Sequence, residues 1–526
     1  MSKYNTKVKT TVNEVVNHQG GQGIKFDPQM ELVGLLAAGL EGRFYEKENE
    51  REARLIKVIK EVGKKDPELV AKSLIYARTV MGQRSVTHVG AVAAMTVLSG
   101  AKDQLGTRFF TKRERKENKG GVIFRLDDML EIISYYQLRN PGKGLPNSLK
   151  RGFKRVLEAA DTYELAKYQG KGKEVSLVDV VNLIHPHPSE KMQETFKKLM
   201  KGELKQFNTA EDKNTKSGQE VAEKLKSGVI TKEEAATELK EAKAENWKQL
   251  IVDGTLGYLA LLRNLRNIVE QTTDEVFKQA LSMLVDEKRV RNSLVFPHQI
   301  DLAFEVLLLE GSITSSRKTA SRKTALLSAV NTAYELAIPN LTELFTYGRT
   351  AVVVDTSGSM TSTIRIGQKG INSRAVDKAS LIGATLAKGI GADLYQFATS
   401  CSQVSYNPLD TINTIKYTIL GRSLGGGTEF NTIFRTLNGK YDRVFVISDM
   451  QGGDTILRNS SYQTYVKTNG QPFIYSIDLC GYGTTMFKQN EKLINLFGYS
   501  ADIYESVKKS EINPKQILKE IRAIEI

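Results

Sequence analysis

From about Asp27 to Asn340 apolar residues recur three and four positions apart, the spacing of one buried face of an α-helix. Residues 30–40, 54–62, 67–81, 85–98, 126–137, 145–160 and 177–183 are the clearest predicted helices. Gly63, Gly82 and Gly100 are expected to close helices, and Asp66-Pro67 and Leu145-Pro146 to open them. Many helices in series without intervening strands predict an α-solenoid of paired antiparallel helices. No clean internal period is present, so any repeat is irregular. Residues 211–246 are rich in Lys, Glu and Ala with sparse apolar positions, which predicts a solvated helix pair or a flexible arm. Near Gly348 the pattern changes. Ala351-Val-Val-Val-Asp355 and Val444-Phe-Val-Ile-Ser448-Asp449 are apolar runs of strand length, each ending in an acid. The expected organisation is multidomain, with a helical part over residues 1–347 and an α/β part over 348–526.

Composition narrows the class. With 526 residues the chain is long enough for two or more cored domains. The longest apolar runs fall short of the roughly 18 residues that a membrane span needs, so no membrane role is expected. The first residues are polar and carry no apolar signal region, and only Cys401 and Cys480 are present. A cytoplasmic location is the expectation. Net charge is +15 with a pI near 9.3, which points toward a polyanion. Residues 1–348 hold 55 Lys+Arg against 45 Asp+Glu and the remainder 20 against 15, so total charge does not localise a binding surface.

Local clusters do. Between Gln137 and Leu157 stand Arg139, Lys143, Lys150, Arg151, Lys154 and Arg155 with no acid among them. Lys150 with Lys154 and Arg151 with Arg155 are spaced i,i+4, so they form adjoining stripes on one helix. An anionic partner would relieve their mutual repulsion. Smaller clusters occur at Lys112-Arg113-Glu-Arg115-Lys116 and at Arg317-Lys318 with Arg322-Lys323. Any one of these is more often a solvated face than a site; together they favour nucleic acid. His185 and His187 in Ile184-His-Pro-His-Pro188 lack a third metal ligand at the right spacing, and the prolines predict a rigid loop. A histidine there can meet a phosphate or stack on a base. His88 and His298 sit at the edges of apolar helices and read as satisfied core groups.

The α/β part carries a different chemistry. Asp355, Ser357 and Ser359 alternate in D-x-S-x-S beyond the carboxyl end of a predicted strand, where open α/β sheets place their sites. A carboxylate and two hydroxyls are hard oxygen ligands of the kind that Mg²⁺ or another divalent cation accepts. A plain helix-capping loop would look similar. Gly425-Gly-Gly-Thr428 leads into a predicted helix, and Ser448-Asp449 ends the second strand, so three loops offer the same ligands.

Those three loops, in that order, resemble the von Willebrand factor A domain and its metal-ion-dependent adhesion site over residues 346–526. The resemblance implies Asp355, Ser357, Ser359 and Thr428 near the metal, Asp449 acting directly or through water, and a sixth position open to an acidic protein ligand. The helical part resembles the TROVE module in Phe26-Asp-Pro-Gln-Met-Glu-Leu32, Arg139-Asn-Pro-Gly-Lys-Gly-Leu-Pro146, Lys167-Tyr-Gln, Leu183-Ile-His-Pro-His-Pro188 and Leu261-Leu-Arg-Asn-Leu265. A TROVE module followed by an A domain is the layout of the Ro autoantigen family. The resemblance implies a HEAT-like helical solenoid closed into a ring, followed by a Rossmann-like A domain. It implies binding of small noncoding Y-like RNA and of single-stranded 3′ ends of misfolded RNA, with a 3′-to-5′ exoribonuclease as partner in RNA quality control. Lys167, Lys171 and His185 match the family's RNA contacts, although the spacing between the last two departs by one residue.

Two functions of different class follow, a non-catalytic RNA-binding protein and a metal-dependent protein scaffold. An enzyme is disfavoured, because a two-metal hydrolase wants a denser carboxylate cluster. The D-T-S-G-S loop lacks the second Asp of an aspartyl phosphatase, and Gly425-Gly-Gly-Thr428 lacks the Gly-Lys-Ser/Thr ending of a P-loop.

Overall fold

The structure is a computed structural model. It describes residues 14–204 except 42, 115–116 and 171; 218, 220–293, 295, 297, 299–301 and 303; 317–338; 348–498 except 362, 367–370, 423–424, 455, 457–460 and 489; and 516–526. The chain divides into two compact units, one of Met1–Leu204, Leu344–Pro408 and Ile415–Ile526, the other of Lys205–Glu343 and Leu409–Thr414.

In the first unit the amino-terminal helices form where their local signals place them. Asp27 caps the helix Pro28–Ala38 by accepting from the backbone N–H groups of Gln29 and Met30 at 3.0 Å. Asp66 caps Pro67–Thr79 through Leu69 N–H, with proline at the first helical position in both. Ser85–Leu98 is the predicted helix to the residue, and Leu126–Arg139, Asn147–Glu158 and Leu177–Ile184 lie within two residues of expectation. Glu48–Lys65 is the exception. It runs through Gly63, which therefore does not end a helix: a Cβ there would meet Val97 at 2.6 Å, so the glycine lets two helices approach. Gly82, at φ +68, does stand where Pro67–Thr79 has ended.

The charge inside this core is satisfied. Asp128 accepts from Arg78 at both oxygens, from the backbone N–H groups of Phe124 and Arg125, and stands 2.9 Å from His88 Nε2. His88 is the satisfied core group its position suggested; His298 lies outside the described residues.

The same unit contains a six-stranded sheet, in spatial order Leu493–Phe497, Phe473–Asp478, Arg443–Ser448, Thr350–Asp355, Asp393–Phe397 and Cys401–Gln403. All neighbours are parallel except the last pair. Every residue of Thr350–Asp355 and of Arg443–Ser448 is buried, which is why both read as unbroken apolar runs. Succeeding strands add to opposite sides of Thr350–Asp355, so the sheet order reverses between it and Arg443–Ser448. A crevice opens at such a switch point, beyond the carboxyl ends. Glu14–Val16 and Gln22–Lys25 form an antiparallel hairpin that also pairs with Thr484–Thr485. Phe497 packs edge-on against Phe26 at 5.0 Å, so helices and sheet share a core.

The second unit is helical where described. Residues 220–226 and Lys232–Val252 form helices, the latter opened by a Thr231–Glu234 capping box, so the Lys/Glu-rich stretch is a solvated helix pair over those residues. Arg322 is not a surface cation. It is buried, donates to the carbonyls of Val269 and Thr272 and to Asp274, and lies 5.0 Å over the Phe277 ring. The side chains of Arg317 and Lys318 lie outside the described residues.

Candidate functional site

At the switch point the three loops meet. Asp355 accepts from Ser357 N–H at 2.9 Å and from Ser448 Oγ, which ties the first loop to the end of the neighbouring strand. Ser357 and Ser359 place their hydroxyls 3.3 Å apart, and Asp449 Oδ1 accepts from Gln451 N–H at 3.1 Å. The glycine loop is stitched across them by Gly425 N–H to Thr356 O at 2.8 Å and Gly358 N–H to Gly426 O at 3.0 Å. Asp355, Ser357, Ser359, Thr428 and Asp449 are thus brought to one place, and none is more than 3% exposed.

Two carboxylates buried together without a cation are costly. Burial raises Asp355 to about 6. Asp449 is raised by burial and then by the charge of Asp355, and its Oδ2 has no hydrogen-bond partner. Among the described residues no cluster of three or more His, Cys, Asp or Glu of metal-binding kind occurs. The donors here are hydroxyls around two acids, and an orphaned buried carboxylate oxygen fits a hard divalent cation of the Mg²⁺ type.

Sequence reasoning missed two residues beside these donors. Gln19 Nε2 donates to Thr428 Oγ1 at 2.9 Å while its Oε1 accepts from Thr428 N–H at 3.3 Å. The Tyr45 hydroxyl lies beside the side chains of Gln19 and Ser359. Neither residue lies in a recognisable motif, and both are more than 300 positions from the loops they touch.

The basic helix is the other candidate. On Asn147–Glu158 the residues Leu149, Gly152, Phe153, Val156 and Leu157 are buried, against Leu105–Phe109 on one side and Leu177–Ile184 on another. That fixes the opposite face outward. Arg151 and Arg155 are exposed and Lys150 and Lys154 half-exposed, and none of the four has a carboxylate partner among the described residues. Lys143 is exposed in the preceding loop. Arg139 is not equivalent to them: it is ion-paired with Glu52 and lies 5.6 Å over the Tyr135 ring.

Lys167 is exposed, donates to Tyr163 Oη at 3.1 Å, and lies 5.2 Å and 5.5 Å over the rings of Tyr163 and Tyr168. His185 ends Leu177–Ile184 in the left-handed region at φ 50 and is exposed. Lys171 lies outside the described residues. In the third basic cluster Lys112 pairs with Glu164 at 2.6 Å, and Arg113 is buried, donating to the carbonyls of Gly120 and Glu525. Arg115 and Lys116 lie outside the described residues. No described helix is long and apolar enough to cross a membrane.

Comparison with known proteins agrees with the fold. No curated protein matches by sequence. The crystal structure of the Ro protein (RSR) of Deinococcus radiodurans is similar at a TM-score of 0.53 and 17% identity, covering 92% of this chain and 100% of that one. At that identity the likeness shows a shared fold. The TROVE domain model matches residues 22–241 and 230–353, a span that includes the basic helix, Lys167 and His185. On that match over more than half its length, the chain belongs to the TROVE domain family.

Proposed function

We propose that this protein is a non-catalytic RNA-binding protein that holds RNA on the outward face of Asn147–Glu158, with Lys167 and His185 adding contacts. One observation carries the reading: four cations project from one side of a helix whose other side is buried, and none of them is ion-paired among the described residues. Such a surface binds phosphate and releases counterions. Family membership supports it, and so does the fold shared with a Ro protein. The finer reading is a small noncoding Y-like RNA together with free single-stranded 3′ ends of structured or misfolded RNA. Its setting is cytoplasmic RNA quality control with a 3′-to-5′ exoribonuclease. The α/β part is read as a von Willebrand factor A domain that holds Mg²⁺ on Asp355, Ser357, Ser359, Thr428 and Asp449, for which the orphaned Asp449 Oδ2 is the support. Lys143 belongs to the RNA surface; Arg139, held by Glu52, contributes less.

The alternative is a metal-dependent scaffold that recruits an acidic protein through the A domain. The near-complete burial of all five donors weighs against it as the main role. Fluorescence anisotropy with labelled RNAs tests the primary reading. A structured RNA with a free 3′ tail should bind more tightly than blunt duplex of equal length. Equal affinities would remove the 3′-end reading, and no RNA binding at low salt would remove the function.

A further inference from the structure

The amino-terminal segment seals the crevice where the three loops meet. Residues 17–21 meet the loops at the ends of the central strands through Asn17, His18, Gln19 and Gly21. Asn17 Nδ2 donates to Gly452 O at 2.8 Å, His18 N–H to Gln451 Oε1 at 3.0 Å, and Gly21 N–H to Gly452 O at 3.2 Å. The approach at Gly21 is so close that a Cβ would stand 2.2 Å from Gly452 O and 2.5 Å from Asp454 O. Tyr45 stacks on His18 at 5.1 Å and meets Tyr482 edge-on at 5.4 Å, which holds its ring against the amino-terminal segment. Gln19 therefore bonds the Thr428 hydroxyl and Tyr45 stands beside that of Ser359, the two hydroxyls that a cation would use.

We propose that the cation site is closed in cis: residues 17–21 and Tyr45 occupy the side from which a partner's carboxylate would reach the metal, so that cation binding and docking of the amino-terminal segment are one linked event. This rests on reading the three loops as a divalent-cation site. The chemistry is that of outer hydrogen bonds that orient metal ligands. A hydroxyl that accepts from Gln19 keeps its other lone pair for the cation. Peeling the segment away frees both hydroxyls to rotate and lets water in, so the cation is held less tightly. By linkage the cation in turn holds the segment down. The site then works as an internal staple between the hairpin Glu14–Val16/Gln22–Lys25 and the sheet rather than as a socket for a second protein.

The test uses the full chain and Mn²⁺ as probe, followed by electron paramagnetic resonance for binding and by hydrogen exchange of peptides covering residues 14–25. Wild type should bind Mn²⁺. If every opening of the segment releases the cation, exchange at the amides of residues 17–23 should slow by up to about 100-fold at 100 times Kd. The double variant Gln19→Ala/Tyr45→Phe should keep its fold and lose that slowing. With Mn²⁺ it should bind an Asp/Glu-rich peptide that wild type does not bind. Gly21→Val, which touches no ligand, should reproduce the loss of slowing. Asp449→Asn should lose Mn²⁺ itself. Bound Mn²⁺ without any change in exchange over residues 14–25 overturns closure in cis and leaves the cation reading standing, as does Mn²⁺-dependent peptide binding by wild type. Absence of Mn²⁺ binding by wild type overturns both.

Discussion

Reversing charge at Lys150 and Lys154 separates a binding surface from a solvated face. Lys150, Arg151, Lys154 and Arg155 share the outward side of Asn147–Glu158, and their alkyl stems leave a helix held rigidly by Phe153, Val156 and Leu157 beneath. If each meets one phosphate, four contacts give a slope of log K against log salt of about −2.8 to −3.6, from about 0.7 per contact on single strands to 0.9 on duplex. A fourfold rise in salt then costs wild type about 50- to 150-fold in affinity. Lys150→Glu with Lys154→Glu leaves two contacts and a loss of only about 7- to 12-fold over the same range, with binding weakened alike for all sequences. Anisotropy titrations of both proteins between 50 and 200 mM salt read the slopes directly, at salt limits within the usual span for such work. His185→Ser is the internal contrast. It removes a ring rather than a permanent charge, so it should cost about 1–3 kcal/mol with the slope unchanged. An unaltered slope and affinity in the lysine variant would refute the reasoning and move the RNA site to Lys167 and His185.

Gly152→Ala on the buried side of the same helix should destabilise the fold by about 1–3 kcal/mol. The reason is that its Cβ would stand 2.6 Å from Phe110 Cβ and 2.9 Å from that residue's backbone, read by thermal or urea unfolding. Asp128→Asn should cost about 3–5 kcal/mol at neutral pH by leaving Arg78 buried without its partner. Burial alone would raise the Asp128 carboxyl, but the His88 hydrogen bond and the Arg78 charge outweigh it and hold it at about 2, against 3.8 when unfolded. Its pH-linked contribution of about 2 kcal/mol is therefore complete above about pH 4 and fades as pH falls toward 2. The stability difference between wild type and Asp128→Asn, measured by urea unfolding from pH 6 downward, should shrink in that window; a constant difference would refute the ion-pair account.

How much of this was legible depends on the range of the forces involved. The helix starts at Pro28 and Pro67 could be read from Asp27 and Asp66, because a cap acts within three residues of chain. The two central strands could be read because burial on both faces demands an unbroken apolar run. The gathering of Asp355, Ser357, Ser359, Thr428 and Asp449 was expected from three loops, since strand ends in such a sheet converge. The outward stripes of Asn147–Glu158 needed only the 3.6-residue period. What composition could not say is which cations are spoken for. Arg139 and Arg322 look like their neighbours in sequence, yet Glu52 and Asp274 claim them, and those partners come from other helices. Gly63 looked like a helix end because its real constraint, the side chain of Val97, is 34 positions away. The covering of the three loops is the extreme case. Gln19 and Thr428 are 409 residues apart, and a hydrogen bond between them leaves no mark on either segment alone. Periodicity and caps are written locally because their energies are local; closure of a site is decided only when distant segments pack.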